Sequence, residues 1–200
     1  MSRRPWFVGR ATPARRHRRD NIGRCFELAS ERVEYPRLQT ARLDLRPLPP
    51  AAAAALSGNR HAATSELGAA LSPEWPHADL FDVLPMQAVA TSSAVPYGVW
   101  VIIERATDMV IGDIGFRGPP DADGTVEIGY SVVPARRRRG YATESARALL
   151  RWAAEQPGVD SVVAGCDRAN VASIKTLERL GFRRTGETNS ELRWRTEPPR

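Results

Sequence analysis

The chain has 200 residues, 42% hydrophobic and 26% charged, which suits one soluble globular domain able to bury a core without staples. Cys25 and Cys166 form no disulfide framework, and His17, His61 and His77 have no ligand spacing, so a reducing interior and no metal are expected. No apolar run approaches the ~20 residues of a membrane span, and the N-terminus has no secretory core, which predicts a cytoplasmic protein without a membrane partner. The net charge of +6 looks like a nucleic-acid signal, but eight arginines against Asp20 put +7 in residues 1–24 and leave −1 for the remainder. Nucleic acid is therefore expected as a partner only through that tail.

Residues 1–36, punctuated by Pro5, Pro13 and Pro36, have no sustained periodicity and read as a disordered basic extension; a nucleic-acid arm and an organelle-targeting peptide are the functional alternatives. The domain is expected over 37–200. Leu43 and Leu45 alternate with Asp44 and Arg46 as a first strand, and Pro49-Pro50 opens a helix over Ala51–Ala55. Leu67–Pro96 is the least regular stretch, with one helix expected at Leu80–Ala90. Its Trp75, Phe81 and Met86 either line a substrate pocket or belong to the core. Tyr97–Arg105 is apolar on both faces, as a buried central strand would be. Met109–Arg117 is a second strand, and the turn residues of 118–124 bring the chain back antiparallel.

The next stretch organises the rest. From Thr125 to Val133, Val126, Ile128, Tyr130 and Val132 fall on one side, while Glu127, Gly129, Ser131 and Val133 fall on the other, which is strand periodicity. Pro134 stops the strand. Ala142, Ala146, Leu149, Leu150 and Ala153 then recur with helical spacing up to the Pro157-Gly158 stop. Between strand and helix lies Arg136–Tyr141, four arginines and a glycine. A helix start presents unpaired N–H groups and partial positive charge, Gly140 admits close approach, and arginine forks suit phosphate. Ser161–Cys166 follows as a strand parallel to the first through the helical crossover. Asn170 caps a helix running to Leu180, and strands 182–187 and 191–195 close the chain as a hairpin.

Arg137-Arg138-Arg139-Gly140-Tyr141-Ala142 matches the R/Q-x-x-G-x-G/A signature of the GNAT acetyltransferases, with Glu127-Ile128-Gly129-Tyr130 at the family's usual distance before it. Asn170, Ser173 and Gly181-Phe182 match further on, and Thr40–Leu48 resembles the first strand of the branch containing the ribosomal-protein N-terminal acetyltransferases. The resemblance implies an α/β GNAT fold, a mixed, mostly antiparallel twisted sheet of about six or seven strands flanked by helices. It also implies an N-acetyltransferase that takes acetyl-CoA as co-substrate and moves the acetyl group directly to a primary amine, either a protein N-terminus or a small molecule. Neither a phosphate-binding GxxxxGK[ST] nor a dinucleotide GxGxxG competes with that assignment. The alternatives are a module that binds acyl-CoA without turnover and a nucleic-acid or ribosome binder acting through the tail. Monomer and homodimer both remain open.

Such a transfer poses four problems. The resemblance gives the pyrophosphate to the backbone N–H groups of Arg137, Arg138, Arg139, Gly140, Tyr141 and Ala142, and the pantetheine arm in part to Asn170. Backbone N–H groups around Val132 and Val133 are candidates for polarising the thioester carbonyl, because the family's strand diverges there from its parallel neighbour. Glu127 is the candidate general base for the ammonium, against a structural glutamate bonded to neighbouring backbone or an arginine, and against water-relayed proton removal with no dedicated base. The tyrosine that many family members place seven residues after the asparagine is Leu177 here, which leaves Ser173 as the nearest hydroxyl to protonate the thiolate. Cys166 reads as a packed small residue more than as a nucleophile.

Overall fold

The structure, a computed structural model, describes residues 34–199. In chain order it contains β1 (Leu38–Gln39), β2 (Leu43–Pro47), α1 (Pro50–Leu56), α2 (Arg60–Leu67), β3 (Ala70–Leu71), α3 (Leu84–Ala88), β4 (Val99–Glu104), β5 (Met109–Phe116), β6 (Thr125–Val132), α4 (Tyr141–Ala154), β7 (Ser161–Asp167), α5 (Val171–Arg179), β8 (Arg183–Glu187) and β9 (Glu191–Thr196). The strands form one nine-stranded sheet in the order β1-β2-β4-β5-β6-β7-β9-β8, with β3 added beside β5. Among the described residues only the β6–β7 and β3–β5 pairs are parallel. All seven strands read from the sequence are present. The two extra strands are two residues long, too short to show a period.

Every residue of β4 is buried, as expected of a strand apolar on both faces. One face of the sheet packs against α4, whose Trp152 ring lies 5.4 Å from those of Tyr97 and Trp100 and 6.1 Å from Phe116, so that aromatic edges and faces fill the layer. The opposite face carries Arg46, Val101, Asp113 and Ser131 in one paired row. There the Arg46 guanidinium donates to the Leu67 carbonyl at 3.3 Å and holds α2 against the sheet.

The irregular stretch was only partly legible. The helix expected at Leu80–Ala90 is a 3-10 turn at Ala78–Asp82 followed by the short α3, whose first turn contains Pro85. Helix α2 was missed, although Asn59 caps it by accepting from the Ala62 N–H at 3.0 Å and Gly68 ends it at φ 59°. Of the extension expected over 1–36, residues 1–33 lie outside the described residues, as do His17 and Cys25. No helix among the described residues is long and apolar enough to cross a membrane.

Candidate active site

The sheet opens beside β6. Strand β7 pairs with β6 only from Thr125↔Ser161 to Glu127↔Val163, after which β7 pairs with β9 alone and β6 continues to Val132 against β5. Two bonds fix the phase of the β5–β6 ladder: Arg117 N–H donates to the Glu127 carbonyl at 3.0 Å, and Val133 N–H donates to the Ile111 carbonyl at 2.9 Å. Odd-numbered residues of β6 therefore bond to β5, and the N–H groups of Tyr130 and Val132 turn into the opening. Val133 is thus corrected as a candidate, since its N–H is already spent on the sheet. Val132 keeps its N–H facing the gap, although its carbonyl accepts from Arg137 Nε at 2.9 Å.

The basic turn sits at the mouth of this opening. Arg137 N–H donates to the Pro134 carbonyl at 3.2 Å, which removes it from the anion-binding set. The next six amides, those of Arg138, Arg139, Gly140, Tyr141, Ala142 and Thr143, have no acceptor among the described residues. Arg138 at φ 62° and Gly140 at φ 80° are left-handed, which rolls the chain so that these amides gather at the start of α4. The side chains of Arg138 and Arg139 are exposed.

A polar lattice behind the turn holds it to the sheet. Arg42, just before β2, donates from Nη1 to the Arg139 carbonyl at 3.0 Å, pairs with Glu144 at 2.6 Å and lies 4.5 Å over the Tyr141 ring. Thr40 donates to the same Glu144 carboxylate at 2.6 Å. On the other side, the Tyr141 hydroxyl donates to Glu104 Oε1 at 2.6 Å, while Arg136 and Thr107 donate to Oε2. Burial pushes Glu104 up, but the bonds from Tyr141, Thr107 and Arg136, with the charge of Arg136, outweigh it and hold the carboxyl below its ordinary value. Burial also opposes the charge on Glu144, and the Thr40 and Arg42 bonds again win. Tyr141 therefore serves the turn through a buried side chain and an open N–H.

On the face of β6 away from α4, Glu127 lies 3.3 Å from Arg117, the arrangement of a glutamate answered by an arginine. Gly129 follows without a side chain. Ser131 comes next, donating to Asp113 Oδ2 at 2.8 Å, and the same oxygen accepts from Trp75 Nε1 at 2.8 Å. Trp75 is fully buried, whereas Phe81 and Met86 are exposed, so the three do not form one wall. Asp113 is almost wholly buried, and desolvation lifts its carboxyl to about 6 despite the bonds from Ser131 and Trp75.

At the other side of the opening, Asn170 accepts from Ser173 N–H at 3.1 Å as a helix cap, and Ser173 Oγ shares a 2.9 Å bond with the Tyr130 hydroxyl. Burial raises Tyr130 to about 12, so it stays protonated. Leu177 is buried in the core. Sequence reading missed the Tyr130–Ser173 and Asp113–Ser131 pairs, because each joins residues 18 or more apart through a hydrogen bond that no spacing announces. Cys166 is buried, and burial raises its thiol, so it behaves as a packed residue. Among the described residues no group of His, Cys, Asp and Glu could hold a metal. Two clefts of about 460 and 340 Å³, lined in part by Val159, Asp160 and Glu197 and by Arg147, Arg151 and Arg179, are built without residues of the turn or of β6.

Residues 42–183 match the family model of the acetyltransferase (GNAT) domain. The chain is a GNAT acetyltransferase. This acetyltransferase is 35% identical over 148 residues to the uncharacterized N-acetyltransferase YjdG of Bacillus subtilis, covering 72% of its own length and 88% of YjdG. Its fold is similar to that of the ribosomal-protein-S5-alanine acetyltransferase of Vibrio fischeri, with TM-score 0.61, 15% identity and coverage of 82% of this chain and 97% of that one. It is also similar to the microcin C7 self-immunity acetyltransferase MccE, solved with acetyl-CoA and AMP, with TM-score 0.56, 16% identity and coverage of 79% and 93%.

Proposed function

We propose that the protein transfers the acetyl group of acetyl-CoA directly to a primary amine within a ternary complex. The observation that carries this reading is the run of six unpartnered amides, Arg138 to Thr143, at the mouth of a sheet whose two middle strands part. Those amides bind the pyrophosphate, each contributing ~0.3–1 kcal/mol where exposed. The exposed Arg138 and Arg139 add charge. The pantetheine arm runs along the free edge of β6, with Asn170 beside it, and the N–H groups of Tyr130 and Val132 polarise the thioester carbonyl. The solved complex of MccE with acetyl-CoA supports the choice of carrier.

The amine arrives on the face of Glu127, Gly129 and Ser131, because α4 packs the other face. It must lose a proton to attack, and Glu127 on β6 and Asp113 on the adjoining β5 are the candidate carboxyls on this face. Sequence reasoning favoured Glu127; already paired with Arg117 at 3.3 Å, it is better suited to orienting the ammonium as a hydrogen-bond acceptor. Ser173, backed by Tyr130, gives a proton to the departing thiolate. The similarity in fold to an S5-alanine acetyltransferase favours a protein N-terminus as acceptor over a small-molecule amine.

Two measurements test this. Acetyl-CoA should raise the melting temperature with the logarithm of its concentration once that exceeds Kd, by mass action, and desulfo-CoA should compete. CoA release should then be followed with peptides bearing N-terminal Ala or Ser and with spermidine. A protein that binds acetyl-CoA yet releases no CoA with any amine is the acyl-CoA-binding module instead.

A further inference from the structure

We infer that Ser131 and Asp113 form the relay that removes the proton from the acceptor amine, with Ser131 touching the nitrogen and Asp113 holding the proton behind it. The inference rests on the reaction proposed above and assigns one step of it. Ser131 lies on β6 between Tyr130 and Val132, the two residues whose N–H groups face the opening. A carbonyl anchored on those N–H groups therefore presents its carbon beside Ser131. Glu127 stands four residues back, about 13 Å along the strand, where β7 still closes the sheet. Gly129, the residue between them on this face, offers no side chain to bridge that distance.

The serine hydroxyl is already aimed. It donates to Asp113 Oδ2 at 2.8 Å, which leaves its lone pairs to accept from an ammonium. Trp75 Nε1, on the same oxygen at 2.8 Å, fixes the carboxyl and leaves it no other orientation toward the serine. As the ammonium gives a proton to Ser131 Oγ, the serine passes its own to Asp113. The amine lone pair then forms the C–N bond while the C–S bond breaks. Of the two protons the nitrogen sheds, one rests on Asp113 and goes back out through Ser131 once the product has left, and the other ends on the thiolate from the Ser173 side. A carboxyl that titrates near 6 is ionised at pH 7 and still basic enough to take the proton.

Several charged groups share its surroundings. His77 and Asp79 come from the segment over the sheet, the first drawing Asp113 down and the second pushing it up. Glu127 with Arg117, and Asp44 with Arg46, lie on the same sheet face as neutralised pairs.

The test follows CoA release by the full chain from pH 5 to pH 9, with N-terminal Ala and Ser peptides and spermidine as acceptors. The parent should show an acid limb in kcat/KM with a midpoint near 6, rising with pH because the relay works only when Asp113 is ionised. Asp113→Asn should lose that limb and lower kcat by about 100-fold, with the KM for acetyl-CoA little changed. Ser131→Ala should fall similarly, and Ser131→Thr, which keeps the hydroxyl, should recover most of the rate. The Ser131 pair decides the matter even where Asp113→Asn folds poorly. An Asp113→Asn enzyme that keeps the limb, or a Ser131→Ala enzyme within twofold of the parent, overturns the relay while leaving the acetyltransfer reading intact. A parent that releases no CoA with any acceptor overturns both.

Discussion

Replacing Asp113 by Asn should stabilise the protein at pH 8 and leave its stability unchanged at pH 4. In the folded chain the carboxyl titrates near 6, against 3.8 for the ordinary group, so between those values the folded state holds a proton that the unfolded state has released. Stability therefore falls as pH rises through that window, and above it the full cost is present. The gap between the two values corresponds to about 3 kcal/mol as an upper bound. Asn keeps an oxygen that can accept from both Ser131 and Trp75, so the hydrogen bonds survive and the buried charge disappears. For a domain of this size the gain should be roughly 6–12 °C in Tm at pH 8. Melting followed by circular dichroism from pH 4 to pH 8 gives the comparison. A variant less stable than the parent by the same amount at every pH would refute the reasoning, because the carboxyl would then be contributing contacts and not a buried charge. Stability given up at one residue is what a working carboxyl inside a core requires.

Other outcomes follow from the same geometry. Gly140→Ala forces a Cβ into a left-handed residue, so it should cost about 1–2 kcal/mol in stability and weaken acetyl-CoA binding measured by calorimetry. Tyr141→Phe leaves Glu104 Oε1 without its 2.6 Å donor, at a cost of about 1–3 kcal/mol; the KM for acetyl-CoA should rise more than kcat falls. Glu104 and Glu144 are both held below their ordinary values, so the stability they lend the turn should be lost as pH falls below about 4.5, visible as weakened acetyl-CoA binding in acid. Glu127→Gln should raise the KM for the amine several-fold, because an orienting carboxylate is lost, and leave the acid limb of the profile in place, because that limb belongs to Asp113.

The elements that fix the fold were legible because they carry long periodic signals. The alternation of β6, the apolar spacing of α4 and the doubly apolar β4 each repeat often enough to be read. The turn between β6 and α4 was legible too, since its arginines and glycine stand between two such signals. Helix α2 was missed because its RHAATSEL sequence has no strong apolar stripe, though its cap and stop residues were in view. Within the site, Gly140 and Glu127 could be singled out from a motif. Val133 and Arg137 were misjudged because the fate of a backbone N–H depends on ladder phase and turn geometry. Asp113 carried no signal at all: an aspartate in a strand reads as surface until Trp75 and Ser131 close over it.

The union of β6 and β7 by three residue pairs makes the sheet a pair of plates on a narrow hinge. One plate runs from β1 to β6, and the other comprises β7, β9 and β8. On the function proposed above, a carrier lying in the opening would act as the missing ply that bonds them into a single board. Amide deuterium uptake in β7 and β9, far from the turn itself, should consequently slow when the carrier is present, and the chain's mechanical integrity becomes a property of its load.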